Sequence, residues 1–132
     1  MKTPPLEQGI ALILAGPQGC GKTRLAHLIG SRHGGVAGID VSRLGDNRDL
    51  RDVLGTTPAV LIVDGLPKGR EQLDVLKSIL GNPTLSIRLP YQPRAATVKS
   101  PLVIICTDEI VPQALREARR YRVVDMPARA TA

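Results

Sequence analysis

Residues 16–23 read Gly16, Pro17, Gln18, Gly19, Cys20, Gly21, Lys22 and Thr23, which fits G-x-x-x-x-G-K-T. A loop of this composition constrains the chain on both sides, because it needs a strand to deliver it and a helix beginning at its lysine. Ahead of it, residues 10–15 are apolar throughout, as a strand covered on both faces is. Behind it, residues 22–33 place Leu25, Leu28 and Ile29 at helical spacing. Glycines let successive N–H groups turn toward phosphate oxygens, a lysine brings a point charge to the β- and γ-phosphates, and a threonine hydroxyl can ligate Mg²⁺. With strand, loop and helix in order, residues 16–23 read as a cradle for a nucleoside triphosphate.

The rest of the chain alternates in the same manner. Residues 35–41 read as a short strand carrying Asp40, and residues 46–54 as a helix with Asp46 as its N-cap. Residues 59–64 are a continuous apolar strand ending in Asp64. An amphipathic helix over 69–80 carries Leu73, Leu76, Ile79 and Leu80 and stops at Gly81. Residues 102–106 form another central strand, 112–119 a helix opened by Pro112, and 121–125 a last strand. Five strands with interposed helices predict an α/β fold with a five-stranded parallel sheet flanked by helices. Residues 84–99 break the rhythm: Leu85, Ile87 and Leu89 alternate with Ser86 and Arg88, and a Pro-rich turn follows, predicting a β-hairpin inserted before the fourth strand. The expected domain spans 10–126, between an N-terminal extension over 1–9 and a tail over 127–132.

At 132 residues the chain fits one domain. It has no Phe or Trp and only two Tyr, so its core must be aliphatic. The two cysteines, Cys20 and Cys106, lack metal-ligand spacing and read as small buried thiols in a reducing cytosol. No stretch is long or apolar enough to span a membrane, and residues 1–8 lack a signal-peptide pattern, so a cytoplasmic setting is expected. Net charge is +6, and residues 67–132 hold eleven Lys or Arg against six Asp or Glu. That excess suits a polyanion such as nucleic acid, and equally a solvated basic surface.

Three further positions carry chemistry. Asp64 ends an apolar strand some forty residues after the loop, where a carboxylate holds Mg²⁺ through water. The next residue is Gly65, which supplies no second acid to polarise water. Asp108, Glu109, Glu71 and Asp40 are the candidate substitutes, and the sequence does not choose among them. Thr107 ends the fourth strand, where a hydroxyl can orient the attacking water; a threonine that merely caps a turn fits the local sequence as well. Arg116, Arg119, Arg120 and Arg122 cluster near the last strand. Arg119 and Arg120 fall at the helix–strand junction and would project away from their own site, toward a neighbouring subunit's triphosphate or simply into solvent.

Taken in order, these elements resemble the ATPase core of superfamily 3 helicases, the AAA+ class P-loop NTPases of phage, viral and plasmid replication proteins. The resemblance covers residues 10–126, and its most telling part is the basic segment from Ile87 to Lys99 leading into Pro101 through Pro112. It implies that the first strand lies between the fourth and fifth. It implies ATP and Mg²⁺ as ligands, with Lys22 and Thr23 serving the phosphates and metal, Asp64 the metal, and Thr107 the sensor. Arg119 or Arg120 would act in trans within a homo-oligomeric ring, typically a hexamer. Arg88, Arg94 and Lys99, with Tyr91 to stack, would contact single-stranded DNA through its backbone. A replication-initiator or primase is the implied partner, since such proteins flank this core with domains that the 132 residues do not contain. Gly65 and Thr107 depart from the family, which has an acid and usually an asparagine there. A non-hydrolysing, ATP-dependent switch or adaptor of a replication or transposition complex is the alternative that Gly65 favours, and a small-molecule or nucleotide kinase is a further one.

Overall fold

In a computed structural model, residues 5–88 and 94–127 are described. The main sheet is built from β1 (Ala11–Ala15), β2 (Val36–Asp40), β3 (Val60–Asp64), β6 (Leu102–Thr107) and β7 (Tyr121–Asp125). The intervening helices are α1 (Lys22–His33), α2 (Asn47–Gly55), α3 (Gly69–Gly81) and α4 (Gln113–Glu117). The sheet is five-stranded in the order β2-β3-β6-β1-β7, and every neighbouring pair is parallel. The first strand therefore sits between the fourth and fifth strands of the sheet, as the resemblance implied.

Alternate residues of each central strand feed two aliphatic layers, because strand side chains point to opposite faces. On one face Ile13, Leu61, Val63, Val103 and Ile105 pack with Leu76, Ile79 and Leu80 of α3. On the other, Leu12, Leu14, Val60, Ile62 and Ile104 pack with Ala26 and Ile29 of α1. Burial on both faces is what makes these strands continuous apolar runs. Leu28 departs from expectation: it is 48% exposed. The buried stripe of α1 is Ala26, Ile29 and Gly30, and these mostly small residues let the helix lie close to the sheet.

Local signals explain most element boundaries. Asp46 caps α2, its Oδ1 accepting the N–H groups of Arg48 at 2.9 Å and Asp49 at 3.3 Å. Between β2 and α2 the chain makes a short 3-10 turn, Val41–Arg43, that periodicity does not reveal. The last helix is shorter than the expected 112–119 span. Pro112 caps it, and Ala118 swings to an extended backbone (φ −73°, ψ 137°), ending it after Glu117.

Between α3 and β6, β4 (Thr84–Ile87) and β5 (Ala96–Lys99) pair antiparallel as a separate two-stranded sheet. Ser100 fastens its base, donating its N–H to the Pro83 carbonyl at 3.0 Å and its hydroxyl to the Asn82 carbonyl. The expected turn, including Tyr91, lies outside the described residues, as do residues 1–4 of the expected extension and 128–132 of the expected tail. Within the extension, Leu6 packs on the α1-side core and Glu7 faces Arg122 at 3.7 Å. No helix among the described residues is long and apolar enough to cross a membrane.

Ile105 is fully buried in the middle of the central strand. Ile105→Ala is expected to lower unfolding free energy by about 2–5 kcal/mol, the usual range for a buried isoleucine truncated to alanine, measured by urea denaturation.

Candidate active site

Strand register brings the sequence-predicted residues to one edge of the sheet. Ala15 at the end of β1 lies opposite Thr107, and Cys106 lies opposite Asp64. The backbone continues this contact past the strand ends: Gly16 N–H donates to the Thr107 carbonyl at 3.1 Å, and Gly65 N–H to the Cys106 carbonyl at 2.8 Å. The C-terminal end of β6 is thus held between the start of the 16–23 loop and the Asp64–Gly65 turn. A cleft of about 460 Å³ opens there, lined by Lys22, Thr23, Asp64 and Thr107 among others.

Within the loop, Gly19 and Gly21 have φ of +80° and +93° with open space where a Cβ would stand. Their requirement is conformational. That of Gly16 is steric: a Cβ there would come within 2.6 Å of the Met126 carbonyl oxygen and 2.9 Å of Cys20 Sγ. Met126 is held over the loop by its own N–H, which donates to the Ala15 carbonyl at 2.6 Å. Lys22 Nζ donates to the carbonyls of Gly16 at 2.7 Å and Pro17 at 3.1 Å. The ammonium is folded back on its own loop, from which it can turn to an incoming anion. The N-terminus of the 12-residue helix α1 opens at the same spot and favours negative charge.

Thr107 is 3% exposed, and its hydroxyl oxygen accepts the Glu109 N–H at 3.0 Å. It caps the turn after β6 while also lining the cleft. Both cysteines are buried and free. Burial pushes the Cys106 thiol up to about 11, with the Asp64 charge adding to the effect, so it stays protonated. Among the described residues no three or more His, Cys, Asp or Glu are grouped so as to hold a metal by themselves. The donors at the cleft are instead one hydroxyl, Thr23, and one carboxylate, Asp64. That set fits Mg²⁺, which retains waters and takes its remaining ligands from phosphates.

Other predicted residues lie elsewhere. Arg119 and Arg120 sit in the turn before β7, and the Arg120 carbonyl accepts the Ala11 N–H at 2.7 Å. They are at the start of β1 and β7, about 13 Å along the strands from the loop at strand rise. The Arg120 guanidinium lies beside Gly81 at the end of α3. Of the clustered arginines, Arg116 is tied to the cleft end, bidentate on Asp125 at 2.9 and 2.7 Å. That hydrogen-bonded pairing holds the Asp125 carboxyl below its usual range and raises the Arg116 guanidinium.

The basic hairpin residues are also divided. Arg88 and Arg94 stand just past the Ile87–Ala96 end of the β4–β5 pair, whereas Lys99 pairs with Thr84 at the other end, beside His33 and Gln8. The resemblance had named them together as contacts to a nucleic-acid backbone. The structure adds Arg51, whose Nη1 donates to the Arg88 carbonyl at 3.1 Å and joins α2 to the hairpin. It also adds Lys68, paired with Glu109 at 2.5 Å beside the cleft. No local pattern signals either residue, since their partners are 37 and 41 positions away.

No family model matches the sequence, and no curated protein matches it either. Solved structures do match. The apo NrS-1 C-terminal region superposes with a TM-score of 0.70 at 21% identity, over 92% of this chain and 30% of that one. A JCV helicase, solved with a thiazolopyridine acetamide bound, gives a TM-score of 0.62 at 20% identity, over 95% of this chain and 38% of that one. The chain has a helicase-type fold. It spans about a third of the length of these structures, so the likeness concerns their shared α/β core.

Gly65 explains the missing acid beside Asp64. Its φ is +111°, and a Cβ would lie 2.6 Å from Val41 Cγ1. Gly65→Ala and Gly65→Asp are each expected to destabilise the protein by about 1–3 kcal/mol through backbone strain, read as a lowered thermal midpoint.

Proposed function

We propose that this chain is the ATP-hydrolysing core of a replication helicase-like motor, acting on DNA as an oligomeric ring in a phage, plasmid or other mobile element. The observation that carries the reading is the convergence of Lys22, Thr23, Asp64 and Thr107 on one cleft at the C-terminal edge of a parallel sheet. Fold likeness to a helicase supports it.

Each residue has a distinct task. Residues 16–23 wrap the phosphates, and Lys22 exchanges its loop carbonyls for β- and γ-phosphate oxygens. Thr23 and Asp64 would hold Mg²⁺, which neutralises developing charge when bound. Thr107, buried and fixed by the Glu109 N–H, presents a hydroxyl to the γ-phosphate side of the cleft. Arg119 and Arg120 lie at the opposite end of the sheet from their own cleft, which supports service to a neighbouring subunit. Arg88 and Arg94 beside the hairpin turn suit backbone contacts to single-stranded DNA, whose charge they would neutralise irrespective of sequence. A replication-initiator or primase that loads such a core is part of the proposal.

A second reading, an ATP-dependent switch or adaptor that does not hydrolyse, is favoured by the Gly65 conformation. ATP hydrolysis with and without single-stranded DNA separates the two: stimulation supports the motor, and tight binding at background turnover supports the switch.

Lys22→Ala is expected to abolish ATP binding in titration calorimetry; retained affinity would count against the site. Arg119→Ala and Arg120→Ala, made separately, are expected to keep ATP binding while at least one lowers turnover by about 10³-fold in the assembled oligomer. Two silent variants would remove the trans role.

A further inference from the structure

Hydrolysis at this cleft needs a group that orients the attacking water and takes its proton, and Gly65 supplies none. We infer that Asp108, one residue beyond Thr107, is that group; the inference rests on the hydrolytic reading above.

The fold discriminates among the four acids near the site. Glu71 extends over Gly45, where a Cβ would meet its Oε1 at 2.7 Å, and does not line the cleft. Asp40 ends β2, one strand beyond Asp64, and its Oδ1 accepts the Ser42 N–H at 2.9 Å and hydroxyl at 2.7 Å. These bonds, the hydroxyl first, hold its carboxyl below the usual range. It lines an adjoining hollow with Thr23, His27 and Asp64, and is not among the residues that line the cleft with Lys22. Glu109 lines the cleft, but Lys68 engages its Oε1 at 2.5 Å. Asp108 lines the cleft with Lys22, Thr23 and Thr107, is exposed, and makes no hydrogen bond or ion pair among the described residues.

Position completes the argument. Strand β6 lies between β1 and β3, so a residue just past its end stands between the Lys22 loop and Asp64. The bond from Glu109 N–H to Thr107 Oγ1 folds the chain at this point and puts Asp108 at the turn. Gly65 N–H rests on the Cys106 carbonyl, two residues before Asp108. The carboxylate absent from position 65 is therefore replaced from the adjacent strand.

In the step, the water oxygen bonds to the γ-phosphorus as Asp108 accepts its proton. The bond from that phosphorus to the β–γ bridging oxygen breaks. ADP and inorganic phosphate leave, and Asp108 returns the proton to solvent.

The test uses the whole chain with ATP, Mg²⁺ and single-stranded DNA, measuring ATP affinity by calorimetry and phosphate release by a coupled assay. Asp108→Asn is expected to keep affinity and thermal midpoint near wild type while phosphate release falls about 10²- to 10⁴-fold, the span of a lost general base. Asp108→Glu is expected to recover part of the rate, and Asp40→Asn to leave it near wild type. Wild-type turnover in Asp108→Asn overturns the assignment, as does a loss confined to Asp40→Asn. A wild-type protein that binds ATP without turning it over overturns the assignment and leaves the switch reading standing. One that binds no ATP overturns the site itself.

Discussion

Strand β6 takes backbone hydrogen bonds from both β1 and β3, and the site depends on that placement. Parallel pairing aligns the C-terminal ends of the three strands, so the groups that follow each one emerge on the same rim. The loop carrying Lys22 follows β1, Asp64 ends β3, and Thr107 and Asp108 end β6. Val103, Ile104 and Ile105 are fully buried between two aliphatic layers. An edge position would leave part of that apolar surface in water, where burial is worth about 25 cal/mol per Å². The force that centres β6 is thus the one that assembles the cleft.

Charge at the cleft is partly satisfied within the chain. Lys22 rests on two carbonyls of its own loop, and Lys68 is paired with Glu109. The contacts of Lys22 are to exposed or half-exposed carbonyls that an arriving anion can displace at modest cost, whereas the carboxylate of Glu109 is already engaged by a full charge. Arg116 is bidentate on Asp125 and so joins α4 to the end of β7. The next residue, Met126, is held over Gly16 by its own N–H on the Ala15 carbonyl.

Residues whose signal is local were legible in the sequence. The 16–23 loop, the start of α1 at Lys22 and the Asp46 cap need only neighbours in the chain to be recognised. On α1, Leu25 and Ile29 pack on the core as their spacing suggests, but Leu28 is exposed while the less hydrophobic Ala26 is buried. Packing rewarded the smaller residue, which permits close approach to the sheet. The last helix was overestimated because nothing in residues 112–119 except the extended turn at Ala118 marks its end. The placement of Lys99 and Arg88 at different ends of the β4–β5 pair follows from antiparallel register, which spacing alone does not give.

By itself the sequence determined that this chain forms an aliphatic, parallel α/β sheet with a glycine-rich loop between its first strand and first helix, because burial on both faces and the conformations open to glycine are written in residue type and spacing. Strand order was supplied by resemblance, since periodicity carries no information on which strands are neighbours. Only the tertiary structure decided which carboxylates face Lys22, which are tied to Ser42 or Lys68, and which arginines lie away from the cleft. Those outcomes depend on contacts between residues tens of positions apart, as does the seating of Gly65, at positive φ, against Val41.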